Sequence, residues 1–150
     1  MRKYALPDSL AVIISQSDYE QWLHHRAVAH VKRDRRKRGN STATNEIYKR
    51  ATHRAVIAAG EFDAYTGERL DWKLIRKWNN EDSKKGGREY KRRFALLPSV
   101  DHVGDGSGPA DFKICAWRTN DAKHDMTYDE LLGFCEKVLD AAKKRLIMLK

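Results

Sequence analysis

The stretch from residue 98 to residue 124 carries most of the information about the fold. It begins with PSVDHV (98–103), passes through the glycine-rich run GDGSGP (104–109), and returns as DFKICAWRTNDAKH (111–124). Proline and glycine bound the apolar pieces, so the pattern predicts an extended segment, a loop and a returning strand over 112–117. If residues 118–126 are helical, two strands precede a helix.

Candidate chemical groups cluster in this stretch. Asp101 offers a carboxylate, and its neighbour His102 offers an imidazole whose ordinary pKa is near 6.5. Successive residues of a strand point to opposite faces, so the two side chains cannot both bind one ion without a bend. Asn120 offers an amide oxygen, and His124 follows four residues later on the same helical face. We expect Asp101, Asn120 and His124 to form an oxygen-rich cation site.

The spacing of these residues resembles the HNH endonuclease family. Its ββα-metal motif has an Asp-His or His-His pair on the first strand, an Asn opening the second, and an Asn or His on the helix. The resemblance implies that Asp101 and Asn120 bind a metal ion, with His124 as a further ligand. It also implies that His102 is the general base and that Lys123 contacts phosphate.

Two features depart from the family pattern. Asp111 stands where the family has Asn; it is expected either to hold the loop that carries His102, as part of the catalytic group, or to mark weakened activity. The zinc-binding cysteine pairs of many HNH proteins are also missing, because Cys115 and Cys135 stand alone. We therefore expect Trp117, Cys115 and the long last helix to secure the motif by packing.

The basic charge is unevenly distributed along the chain. The net charge is +9; residues 1–60 hold 12 Lys or Arg against 5 Asp or Glu, residues 61–100 hold 10 against 7, and residues 101–150 hold 8 against 9. This distribution predicts that the first two-thirds of the chain binds a polyanion. Double-stranded DNA is the expected partner.

The densest run of cations is KRDRRKR (32–38), which only Asp34 interrupts. It is either a solvated helix end or a phosphate-contacting surface, and we favour the second because surface charge usually alternates in sign. The residues expected to contact nucleic acid are Arg35, Arg36, Arg38, Arg118 and Lys123.

Local signals predict the remaining elements. Residues 1–60 form a helical pair: Ser17 caps a helix from about Asp18 to Lys37, and Thr44 caps a second helix that runs to about Ala59. The later elements are a hairpin at 62–70, a short helix over 72–79 capped by Asp71, extended residues at 94–97, and a last helix with a capping box at Thr127. Residues 81–93 form either a mobile loop or a basic surface strip.

Length and composition exclude several classes of protein. A chain of 150 residues has the size of one domain, here divided into a basic helical region (1–60), a hairpin and basic strip (61–97) and an HNH-like unit (98–146). We find no signal peptide, no bilayer-spanning apolar run and no phosphate-binding loop of the ATPase type. A cytoplasmic location without membrane association is therefore expected.

The sequence thus predicts an α+β fold: a ββα-metal motif with an N-terminal helical pair and a long C-terminal helix. The predicted function is a metal-dependent DNA endonuclease that uses one divalent ion, with Mg²⁺ ahead of Mn²⁺, Ni²⁺ or Zn²⁺. The alternative is an HNH-like protein that binds DNA or RNA without cutting it. Both a monomer and a homodimer are compatible with the sequence.

Overall fold

The N-terminal part of the protein is helical. The structure, a computed structural model, describes residues 2–150, and begins with α1 (Asp8–Ala11), α2 (Gln16–Arg38) and α3 (Asn45–Ala59). Thr44 caps α3 as predicted, since its side chain accepts the Ile47 N–H. The predicted Ser17 cap of α2 is wrong: Ser15 accepts the Asp18 N–H at 3.1 Å, so the helix begins earlier.

The predicted hairpin at 62–70 is reduced to a single bridge between Phe62 and Arg69. Asp63 is the reason, because its Oδ1 accepts the N–H groups of Tyr65 and Thr66 and closes the chain into a turn. A 3-10 helix over Trp72–Arg76 follows; it is capped by Asp71 as predicted but is shorter than expected.

Residues 81–93 are not a mobile loop. They belong to α4 (Asn80–Arg93), which begins where the Asn79 side chain accepts the N–H groups of Glu81 and Asp82. Gly87, at φ +51°, interrupts the regular helix. The cations of α4 are exposed, in keeping with a basic surface: Lys84, Lys85, Arg88, Lys91, Arg92 and Arg93.

A two-stranded antiparallel sheet follows α4. Strand β1 (Pro98–His102) pairs with β2 (Phe112–Ala116), with Asp101 opposite Lys113 and His102 opposite Phe112. Residues 94–97 form a turn and not the expected extended segment. Helix α5 (Trp117–Lys123) begins directly after β2. The fold is therefore mixed helix and sheet, as an α+β assignment requires.

The main core lies where α2 and α3 cover one face of the sheet. Its fully buried large side chains include Tyr19, Leu23, Tyr48, Trp72 and Ile114. Within residues 2–150, no helix combines the length and the apolar character needed to cross a bilayer.

The last helix, α6 (Tyr128–Met148), begins with the predicted capping box between Thr127 and Glu130. No side chain of this fully described helix is buried. Near its start, the Tyr128 ring lies 5.5 Å from the ring of Tyr65. The expectation that α6 would secure the motif by packing is therefore wrong.

Candidate functional site

Asp101 and His102 face opposite sides of the sheet. Asp101 lies on the same face of β1 as Ser99. Helix α5 packs on this face, where Ser99 accepts a hydrogen bond from Asn120 at 2.9 Å. His102 lies on the face covered by α2 and α3. The alternation expected from the sequence is thus present, and the two groups act in separate environments.

A buried carboxylate holds the His102 ring. Asp34, which is 0% exposed in α2, has its Oδ2 2.7 Å from His102 Nε2. The same oxygen accepts the Tyr48 hydroxyl at 2.6 Å, while Oδ1 accepts Arg38 at 2.6 Å. Since a carboxylate only accepts hydrogen bonds, Nε2 of the neutral ring carries the hydrogen and Nδ1 carries the lone pair. Asp34 therefore fixes the orientation and the tautomer of the His102 ring.

The pKa values of this pair favour a neutral histidine beside an ionised carboxylate. Burial lowers the pKa of His102 below its ordinary value and outweighs the opposite effect of the nearby Asp34. Burial alone would raise the pKa of Asp34, but hydrogen bonds from Tyr48 and His102 hold that pKa below its usual range. At neutral pH the imidazole can accept a proton.

A second histidine packs against the first. The rings of His30 and His102 lie 5.0 Å apart, and Phe112 packs against both. Burial lowers the pKa of His30 to about 3, helped by the positive charge of Arg33, whose guanidinium lies 2.7 Å from His30 Nδ1. His30 is thus a neutral, buried residue that packs against His102 at the site.

The glycine-rich loop is fixed next to this pair. Asn40 is buried and its side-chain amide donates to the carbonyl oxygens of Gly106 and Gly108, each at 3.0 Å. Gly106 adopts φ +82°, and a Cβ there would lie 2.7 Å from Cδ of Arg38 and 2.9 Å from Oδ1 of Asp34. Glycine is required at this position because the loop lies directly against the basic end of α2.

His102 opens on a cavity of about 390 Å³ formed by this loop. The His102 side chain is 13% exposed. Asp111 lines the same cavity with an exposed side chain, and its carbonyl oxygen accepts the Val103 N–H at 3.0 Å. The structure therefore brings the two residues predicted as catalytic to one cavity, with Asp111 holding the loop through its backbone.

Asp101 lies in a different kind of environment. It is 6% exposed, and its Oδ2 accepts the Tyr65 hydroxyl at 2.6 Å and lies 3.0 Å from the Lys123 ammonium. Lys123 is also 6% exposed, so the pair is a buried ion pair. Burial and the neighbouring Asp101 raise the pKa of Tyr65. Lys123 neutralises Asp101 here, and its buried ammonium is not exposed to contact the phosphate of a nucleic acid.

The predicted metal ligands do not fit a divalent ion in this arrangement. The Lys123 ammonium occupies the position beside Asp101 that a cation would take. The Asn120 amide nitrogen donates to Ser99, so only its Oδ1 could bind a metal ion. His124 follows the end of α5 at φ +51°, with its side chain 82% exposed. Within residues 2–150 no three His, Cys, Asp or Glu side chains are grouped to hold a metal.

A cleft of about 380 Å³ adjoins Asn120 and His124. Two arginines of α2, Arg26 and Arg38, also line this cleft. Nε of Arg26 is buried and has no hydrogen-bond partner among the described residues, and burial lowers the pKa of this guanidinium. A buried donor without an acceptor is costly, so an anionic ligand that accepts from Arg26 Nε at the cleft would relieve this cost.

The other residues predicted to bind nucleic acid are spread over two surfaces. Arg36 is exposed in α2, and Arg35 donates to the carbonyl oxygen of Ala43 at 2.7 Å. Arg118 is exposed on α5 and binds both carboxylate oxygens of Glu68. Its charge is compensated locally, whereas the end of α2 keeps an excess of positive charge.

Sequence reasoning missed the residues that organise the site, namely Asp34, Asn40, Tyr48 and Tyr65. The available signal was Asp34 as the single acidic residue within a run of six cations. In the structure this carboxylate has a specific partner. That partner, His102, lies 68 residues away in sequence, and no local pattern identifies it.

Comparisons with known proteins add no relative. No protein-family model, no curated protein and no solved structure matches this chain.

Proposed function

We propose that this protein binds nucleic acid at the basic end of α2 and hydrolyses a phosphodiester bond with His102 as the general base. Double-stranded DNA is the proposed substrate, in the cytoplasm. The observation that carries the proposal is the Asp34–His102 pair, at 2.7 Å, placed beside the cations of residues 32–38. A backbone held by those cations would lie close to the cavity on which His102 opens.

The proposed reaction uses the two ring nitrogens of His102 differently. Nε2 donates to Asp34 throughout, and Nδ1 takes a proton from a water molecule as the water oxygen attacks phosphorus. The bond to the leaving oxygen breaks, and that oxygen takes a proton from solvent. Arg33 and Arg38 supply positive charge close to His102, which favours the additional negative charge of the transition state.

One divalent metal ion, Mg²⁺ first, remains part of the prediction. Because Lys123 forms an ion pair with Asp101, the predicted metal ligand, no step above depends on that ion.

A nucleic-acid-binding protein without nuclease activity is the second candidate. The buried Lys123–Asp101 pair favours it, since this contact neutralises the carboxylate that an HNH-type enzyme would use for metal. The positive charge of α2 serves either function. Cleavage that depends on His102 distinguishes the two.

The deciding experiment is incubation of supercoiled plasmid with the purified protein and Mg²⁺, Mn²⁺, Ni²⁺ or Zn²⁺, with EDTA alongside. His102→Ala is the test variant, and His24→Ala, an exposed histidine of the same chain, is the matched control. A gel-shift assay of the same samples measures DNA binding independently of cleavage.

We expect the wild type and His24→Ala to nick the plasmid, and His102→Ala to bind DNA but to cut about 10²–10⁴ times more slowly. Equal cutting by His102→Ala would contradict the proposed base. A gel shift without cutting in any metal would favour the binding protein.

A further inference from the structure

Helix α6 has an apolar surface that residues 2–150 leave exposed. Leu132 is 44% exposed, Leu139 57% and Leu146 63%, although each is a large aliphatic residue. Apolar side chains on one face of a well-capped helix are buried in most proteins, and a contiguous exposed stripe usually marks an interface.

The apolar residues of this stripe are spaced alternately three and four positions apart. They are Leu132, Cys135, Leu139, Ala142, Leu146 and Leu149. This is the heptad pattern of a two-stranded coiled coil, with the leucines at 132, 139 and 146 at position a, and residues 135, 142 and 149 at position d. In the seam, every a and d position from 132 to 149 is apolar.

The charged positions beside the seam fix the kind of partner. The successive e positions of α6 are Asp129, Glu136 and Lys143, acidic in the first half of the helix and basic in the second. In an antiparallel pair the e positions of the two helices face each other, so Glu136 meets the partner's Lys143. We propose that α6 pairs antiparallel with α6 of a second copy of this chain.

Side-chain volumes favour the same orientation. In an antiparallel pair the a positions of one helix meet the d positions of the other, so Leu139 faces Ala142 and Leu146 faces Cys135 across the seam. Each of these layers joins a large and a small side chain. A parallel pair would place Ala142 on Ala142 and leave a void.

The test is the mass of the full-length protein in solution, measured by sedimentation velocity over a range of concentrations. A dimer of the 17.4 kDa chain is expected. Leu139→Asp should give a monomer, whereas Phe134→Asp should remain dimeric, because Phe134 lies off the seam with a similar exposed fraction of 56%. Circular dichroism of each variant verifies that the helices are retained.

A charge exchange tests the orientation. Glu136→Lys alone and Lys143→Glu alone should each weaken the dimer about tenfold, since each places like charges opposite one another in both symmetric pairs. The double variant should restore the wild-type affinity. A parallel dimer would not give this rescue.

Three results would overturn the inference. The first is a wild-type protein that stays monomeric at all concentrations. The second is dissociation by Phe134→Asp as complete as by Leu139→Asp, which would rule out the assigned seam. The third is a double charge variant as weak as the single variants, which would rule out the antiparallel arrangement.

Discussion

Asp34 joins three parts of the site through one carboxylate. Its oxygens accept hydrogen bonds from Tyr48 in α3 and Arg38 in α2, and bind His102 in β1. A buried carboxylate of this kind is stable only while its partners are in place. The orientation and the tautomer of His102 therefore depend on a residue outside the stretch 98–124.

Acid should destabilise the protein through His30. Its pKa in the folded protein is about 3, below the ordinary value of 6.5, so between these values the unfolded chain binds a proton that the folded protein does not. The free energy of unfolding should thus fall as pH falls through this window, by about 1.4 kcal/mol per pH unit for each such proton.

Denaturant unfolding from pH 7 to pH 4 measures this slope. His30→Gln should lower the slope by about one proton, although the variant is less stable at pH 7. His24→Gln, on the exposed face of the same helix, should keep the wild-type slope. An unchanged slope in His30→Gln would rule out this histidine as the source.

At the scale of elements, the glycine-rich loop should tolerate side chains at one glycine and not at another. Gly106→Ala combines a left-handed φ with contacts under 3.0 Å to Arg38 and Asp34, so we expect a loss of about 1–3 kcal/mol in unfolding free energy. Gly108→Ala meets nothing within 4 Å and should change stability by less than about 0.5 kcal/mol. Thermal unfolding of both variants makes the comparison, and equal losses would contradict the close loop contact.

Local signals predicted the elements whose cause is local. Thr44 and Thr127 begin helices as expected because a cap depends on residues three positions apart. Helix α4 escaped prediction because Gly86-Gly87 is typical of a loop. In the structure a Cβ at Gly86 would lie 2.7 Å from Cβ of Tyr90, so this glycine allows a close contact within the helix.

The candidate site was predictable only in part. The separation of Asp101 from His102 follows from strand geometry, and the sequence predicted it. The ion pair between Lys123 and Asp101 and the hydrogen bond between His102 and Asp34 depend on how distant segments pack. Pairings across 22 and 68 residues leave no periodic trace in a single sequence.

For the whole molecule, the salt dependence of DNA binding should locate the binding surface. Arg36 and Lys37 are exposed at the end of α2, so Arg36→Gln with Lys37→Gln should reduce the slope of log affinity against log salt by about 0.9 per lost phosphate contact. Lys144→Gln, exposed on α6, is the matched control and should leave the slope unchanged. The reverse result would place the DNA on α6.

The central claim is that His102, held by Asp34, accepts the proton from water. The most direct measurement is the single-turnover rate of DNA cleavage against pH for the wild type and Asp34→Asn. The wild-type rate should fall with acidification through a pKa below 6.5, because burial favours the neutral ring. In Asp34→Asn the plateau should drop and the inflection should move to lower pH, since the carboxylate that raises the His102 pKa is lost. An Asp34→Asn profile identical to that of the wild type would contradict the account.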